Sequence, residues 1–246
     1  MKITSYWLSR SPLVLLAILL LSLLGYRSGL LPLSLLVWGF ALPLLALLLI
    51  GLLALGTLLV AIFRGTRTLA IHSGTALLLV AIPCLVIGVT VGAAGFSAPP
   101  IHDITTDTIN PPVYQAAAAE RSEADNSLDY AGAELAATQQ VAYPDIVPLR
   151  SSLDAQATFD IALATVQQLG WRVMRADEQV FEIEAVEETL LLGFKDDVII
   201  RITPEPAGSR VDVRSSSRIG VGDLGANAKR VRRLLTALDK ALVAER

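Results

Sequence analysis

The chain has 246 residues, of which 53% are hydrophobic and 17% charged, with a net charge of −3 and a mean hydropathy of +0.58. A soluble domain carries roughly a quarter charged residues, so a long segment of this chain must avoid water. The charges are also divided by position: the first 96 residues contain no acid and five cations (Lys2, Arg10, Arg27, Arg64 and Arg67), while the remainder sets 23 acids against 15 cations, an acidic balance that argues against nucleic acid as a partner.

Three uncharged apolar runs stand in the first part, each long enough for a membrane helix, which needs about 20 residues. They predict a transmembrane domain over residues 1–96, with helices at about 7–26, 34–63 and 69–96. Tyr6, Trp7 and Tyr26 bracket the first at interfacial positions. The second exceeds one span and implies tilt. Pro43 and Pro83 fall inside runs, which membrane helices tolerate. The first run shares a cationic start and Leu-rich stretch with signal peptides, but no small-residue cleavage site precedes Tyr26, so it is expected to be retained. Lys2, Arg10, Arg64 and Arg67 place the N-terminus and the second loop in the cytoplasm, with Arg27 opposing, so three spans deliver the rest to the extracytoplasmic side of the inner membrane. The runs contain no acid for a proton or ion path. The single cysteine, Cys84, reads as a small hydrophobe, His72 as a polar anchor, and Gly51, Ala54 and Gly56 as a surface for close helix contact.

Residues 97–150 change to Pro, Ala, Asp and Thr and read as an acidic tether, with a weak helix possible within Val113 to Gln140. His102, Asp103 and Asp107 are the nearest approach to a metal set; without a second histidine, turn and capping roles suit them better, and no metal or other cofactor is expected.

From 151 to 246 the periodicity is globular. Phe159, Leu163, Val166 and Leu169 mark a helix capped by Ser152 or Asp154 and stopped by Gly170. Four strands follow. Trp171, Val173 and Arg175 share a face of the first; Phe181, Ile183 and Ala185 oppose Glu182 and Glu184 in the second; Val198, Ile200 and Ile202 point inward in the third, as Val211 and Val213 do in the fourth. Asp197, Arg201, Asp212, Arg214, Glu182 and Glu184 then form an exposed outer face of cross-strand charge pairs. A last helix, capped by Asp223, carries Leu224, Val231, Leu235, Leu238 and Leu242 on one stripe. The fold class is therefore α+β: three transmembrane α-helices followed by an extracytoplasmic two-layer domain of helix, four-stranded antiparallel sheet and helix.

Arg214, Ser215, Ser216, Ser217 and Arg218, followed by a glycine-rich turn, Asp223, Asn227 and Arg230, form the densest polar patch. Guanidinium groups, hydroxyls and free amides at a helix start are the components of an anion site. Asp223 and a purely structural use of the glycines at 220, 222 and 225 argue the other way.

This stretch, Arg214-Ser-Ser-Ser-Arg-Ile-Gly-Val-Gly-Asp-Leu-Gly-Ala-Asn-Ala-Lys-Arg230, together with Asp196-Asp-Val-Ile-Ile-Arg201 and Val211-Asp-Val213, resembles the bacterial and plastid family designated domain of unknown function 1499. Ile101-His-Asp-Ile-Thr-Thr-Asp107 and Asn110-Pro-Pro112 resemble the start of its envelope-associated members. The resemblance covers about residues 100 to 244 and implies an uncharacterised, often membrane-attached envelope domain, with no substrate, cofactor or catalytic residue to carry over.

The leading expectation is a non-enzymatic envelope module, embedded in the lipid bilayer, that binds a partner protein or an anionic envelope component through Arg214 to Arg230. One alternative is a lipid or apolar-ligand carrier, which requires loose packing among Val198, Ile200, Val211 and Val231. Another is an enzyme of unfamiliar type using Arg214, Arg218 and Asp223.

Overall fold

The computed structural model describes residues 2–245, with side chains from Tyr6 onward; the side chain of Lys2, one of the cations used above, lies outside the described residues. Two compact units result, residues 1–92 and 93–246.

The first unit consists of α1 (Lys2–Arg27), α2 (Leu33–Phe63) and α3 (Arg67–Thr90). All three are long and apolar enough to cross a membrane, which marks the chain as a membrane protein. Leu and Val side chains crowd their outer surfaces, while the buried positions between helices combine small residues such as Ala54, Ala61, Ser73 and Ala76 with Leu8, Leu19, Leu36 and Leu47. Gly39 lies so close to Ser22 that a Cβ would stand 2.3 Å from its Oγ, and Gly51 and Ala54 are buried, whereas Gly56 faces outward with open space around it. Two polar pairs join helices: Ser9 Oγ with His72 Nδ1 at 2.9 Å, and Thr57 Oγ1 with Ser73 Oγ at 2.8 Å. The third run ends earlier than its apolarity suggests. Gly92, at φ +69, breaks the helix, and only the short α4 (Gly92–Phe96) follows.

The second unit is α+β, but its sheet has six strands among the described residues rather than four. The expected four are present as β3 (Arg172–Asp177), β4 (Glu182–Glu188), β5 (Lys195–Glu205) and β6 (Gly208–Ser217), all antiparallel neighbours. The other two are β1 (Asp103–Thr105) and β2 (Leu149–Ser151), which pair with successive stretches of β6, opposite Arg214–Ser216 and Ser209–Val211. Three residues are too few to show an alternation, so neither carries a strand signature.

One face of the sheet meets α7 (Ala155–Gln168) and α8 (Ala226–Ala244). Ile183, Ala185, Val198, Ile200, Ile202, Val211 and Val213 pack there with Phe159, Val166, Val231, Leu234 and Leu238 in one buried cluster. Asp154 caps α7 by accepting from the Ala157 N–H at 2.8 Å, and Gly170 ends it at φ +75. The packing that a carrier cavity would have loosened, among Val198, Ile200, Val211 and Val231, is closed; each is at most 1% exposed.

The other face is covered as well, which adds a layer to the expected two. Residues 106–130, including α5 (Ala116–Glu120), lie across β4, β5 and β6, with Tyr114, Ala117, Leu128, Met174 and Ile199 forming a second apolar cluster. The glutamine of α6 (Ala133–Ala142) that faces β1, Gln139, exchanges hydrogen bonds with the Thr105 N–H (2.9 Å) and C=O (2.6 Å). The stretch that composition presents as a tether is thus part of the folded unit. A bulge between Val173 and Arg175 also corrects one face: Val173 packs toward the helices, while Arg175 joins Glu182 and Glu184 on the opposite side.

Candidate functional site

Successive strand residues point to opposite faces, and this alternation divides the polar patch in two. Arg214, Ser216 and Arg218 lie under the 106–130 layer, whereas Ser215, Ser217, Asn227 and Arg230 lie under α8. The eight expected site residues therefore do not converge on one point.

On the first face Arg214 is the largest fully buried side chain. Its Nε and Nη2 donate to the Asp103 carboxylate at 3.0 and 2.7 Å, its Nη1 to the Pro112 carbonyl at 3.0 Å and its Nη2 to the Leu128 carbonyl at 2.7 Å. The guanidinium carbon sits 5.0 Å from the Tyr114 ring and 5.4 Å from the Tyr130 ring. Burial, with the Asp103 charge, pushes the Tyr130 hydroxyl up to about 12, Arg214 working against it, so the phenol stays protonated. Arg218 is held by Asp197 (2.7 Å) and Glu120 (3.2 Å), and Arg121 shares Asp197 at 2.8 Å. Hydrogen bonds from Arg172 hold the Glu120 carboxyl down at about 2. Ser216 Oγ is buried without a hydrogen-bond partner.

On the second face Ser215 Oγ donates to Asn227 Oδ1 at 2.6 Å, and Asn227 Nδ2 donates to Ser217 Oγ (2.8 Å) and the His102 carbonyl (2.9 Å). Arg230 joins the same oxygen of Asn227 and is paired with Asp196 and Glu187. Burial pushes the Asp196 carboxyl up in spite of that pairing. Asp223 stands where an anion would, its carboxylate accepting from the Gly225 N–H (2.8 Å) and the Asn227 N–H (2.7 Å), although the cap position itself is Gly225. Gly222 serves close approach: a Cβ there would lie 2.9 Å from the Cα of Pro100. The adjacent acids Asp196 and Asp197 are separated by the sheet.

The outer charges expected in solvent are mostly buried. Glu184 is fully buried, accepting from the N–H groups of Gln115, Ala116 and Ala117 at 2.9–3.0 Å and so neutralising the start of α5. Asp107 collects Arg201 (3.3 Å) and Arg210 (2.9 Å); burial opposes its ionisation, yet the N–H groups of Asn110 and Ile109 and the two arginines hold its carboxyl below the usual range. Asp103 and Asp107 are accordingly committed to different arginines, and no group of three His, Cys, Asp or Glu is placed to hold a metal ion among the described residues.

An open cavity of about 580 Å³ lies elsewhere, lined by Pro100, Ile101, Leu135 and Val221 on its apolar side and by His102, Asp103, Asp129 and Glu134 on its polar side. Asp129 and Glu134 are exposed, and the Nδ1 of His102 is buried with no hydrogen-bond partner. Sequence reading passed over this groove because its walls come mostly from the supposed tether; His102 and Asp103 were weighed there only as metal ligands, and the carboxylates at 129 and 134 were not singled out.

The chain was also compared with known proteins. A family model described as a protein of unknown function, DUF1499, matches residues 103–238. No curated protein matches the chain.

Proposed function

Because the chain belongs to the DUF1499 family, whose members are described only as proteins of unknown function, we propose from its geometry that it is a membrane-anchored binding module whose groove takes a basic, partly apolar segment of an envelope partner protein. The observation that carries this reading is the pairing of two exposed carboxylates, Asp129 and Glu134, with an apolar wall and an unpartnered buried nitrogen on His102. A segment bearing ammonium or guanidinium groups meets the carboxylates, and a donor from it satisfies His102 Nδ1. Of the Arg214 to Arg230 cluster, Arg214 touches the groove's wall through its pairing with Asp103. The cluster's guanidinium groups already face carboxylates of the same chain, which favours a framework role over capture of an anionic component. In this reading the domain stands on the extracytoplasmic side of the inner membrane, a placement supported by Arg10, Arg64 and Arg67.

The test uses the only two histidines, His72 and His102. In the full chain reconstituted in nanodiscs with labelled histidine, a short peptide alternating Lys and Leu shifts the His102 ring signals saturably and leaves those of His72 in place. The double change Asp129→Asn with Glu134→Gln weakens the binding several-fold at low salt, as loss of exposed charge pairs does. A His102 signal unmoved by millimolar peptide refutes the groove as the binding face. A reporter enzyme fused after Arg246, active only outside the cytoplasm, tests the orientation separately.

A further inference from the structure

The end of the domain at which the chain enters it carries an apolar rim. Three loops meet there. Residues 97–102 lead into β1, whose Asp103 lies opposite Ser216. The β6–α8 loop begins beside them: the Ser217 N–H donates to the His102 carbonyl at 2.9 Å, and the Asp223 N–H to the Ile101 carbonyl at 3.1 Å. The β4–β5 turn is the third, because the Arg218 N–H donates to the carbonyl of Lys195, the first residue of β5, at 3.2 Å.

The rim residues are unlike those of an ordinary surface loop. The β4–β5 turn reads Thr189-Leu-Leu-Leu-Gly-Phe194, with Leu190 95% and Leu191 42% exposed; the β6–α8 loop adds Val221 at 80% and Leu224 at 50%. Turns at the opposite end of the same strands have another composition: Asp177-Glu-Gln-Val180 and Glu205-Pro-Ala-Gly208. A single exposed leucine is unremarkable in a folded protein, but several gathered at one end of a sheet mark an interaction surface.

Chain connectivity identifies what that surface meets. Ten residues, Val91 to Pro100, separate Thr90, the last residue of α3, from Ile101, which is already fixed by hydrogen bonding to Asp223, and five of the ten are wound into α4. With that turn of helix the connection reaches at most about 30 Å, short enough for this end of the domain to touch the headgroup layer. We propose that the rim formed by Leu190, Leu191, Val221 and Leu224 inserts into the lipid headgroup region of the bilayer that the chain's own helices cross. Apolar side chains on loops gain from the interfacial region without spanning it, and the polar backbone of a turn remains hydrated there. The rim does not depend on what the groove binds, although Val221 belongs to both.

The test uses nitroxide labels on the full chain in liposomes. In a Cys84→Ala background, Leu190→Cys and Val221→Cys place labels on the rim, and Val180→Cys places one on the β3–β4 turn at the far end. At 190 and 221, collisions with dissolved oxygen exceed those with a water-soluble nickel chelate several-fold, and at 180 the order reverses. Rim labels as open to the nickel chelate as the label at 180 overturn the proposal. Rim labels shielded from both reagents also overturn it, since protein rather than lipid then covers the loops.

Discussion

Replacing Asp103 by asparagine removes the counter-charge of the most deeply buried cation in the domain. Arg214 is 2% exposed, and of its four short hydrogen bonds the two to Asp103, at 3.0 and 2.7 Å, are the ones that neutralise it; those to Pro112 and Leu128 are made to carbonyls. Asparagine keeps one acceptor of the same shape and loses the charge. Breaking a buried pair from one side costs about 3–5 kcal/mol, because the remaining ion stays desolvated. For a unit of this size that corresponds to a fall in melting temperature of about 10 °C. Urea titration of the full chain in nanodiscs measures it, following the buried Trp171 after Trp7→Phe and Trp38→Phe have removed the other two tryptophans. The double variant Asp103→Leu with Arg214→Met recovers most of the loss, since an apolar pair needs no neutralisation. A single Asp103→Asn change that costs less than about 1 kcal/mol, the scale of an exposed pair, refutes the view that this buried ion pair ties β1 to β6.

Gly208→Ala costs about 3 kcal/mol or more, because φ is +133 and the new Cβ would stand 2.0 Å from the Ser151 carbonyl oxygen; the same titration shows it, with hydrogen exchange reporting loss of the β2–β6 pairing. Glu184→Gln costs about 2 kcal/mol through weakened charge-assisted bonds to the first N–H groups of α5, read as faster exchange of the Ala116 and Ala117 amides. The depressed carboxyl of Glu120, at about 2 against an ordinary 4.5, contributes stability that is present above pH 4.5 and lost as pH falls toward 2, with Glu187 and Asp107 acting in the same direction. Glu120→Gln flattens that part of the acid limb in a stability–pH series, and an unchanged limb counts against it.

The sheet's helix-facing side was legible because the period-2 signal in Ile183-Glu-Ala185, Ile200-Arg-Ile202 and Val211-Asp-Val213 needs no knowledge of distant residues. The helices were legible for the same reason, their starts fixed by local groups such as Asp154. The outer layer was not. Residues 97–150 bury few large apolar groups at regular spacing, and are held instead by single long-range contacts: the Tyr114 hydroxyl to the Asp197 carbonyl at 3.0 Å, Arg121 to the Asp197 carboxylate and to the Ser216 carbonyl, and Asn126 to the carbonyls of Ser217 and Gly220. Such contacts leave no periodic trace. The alternation Arg210-Val-Asp-Val-Arg214 was visible, but charges on a strand read as solvent-facing unless a covering segment is known to supply their partners. The expected site residues were assigned to one surface, which the two-faced geometry of β6 prevents.

The pairing of β1 with β6 bears on how the domain is made. Arg214 lies 111 residues beyond Asp103, so at typical elongation rates on the order of ten seconds pass between synthesis of the two. Through that interval Ile101, Ile104 and Tyr114 have emerged without the sheet that buries them, and the carboxylate of Asp103 has no cation. Nucleation must start instead among the adjacent strands β3 to β6 and α8, whose contacts are local, with the earlier segment docking last. Mutations in the 101–121 stretch should therefore quicken unfolding far more than they slow folding, and a nascent chain stalled before Ser217 should present an unprotected apolar strand to holding chaperones.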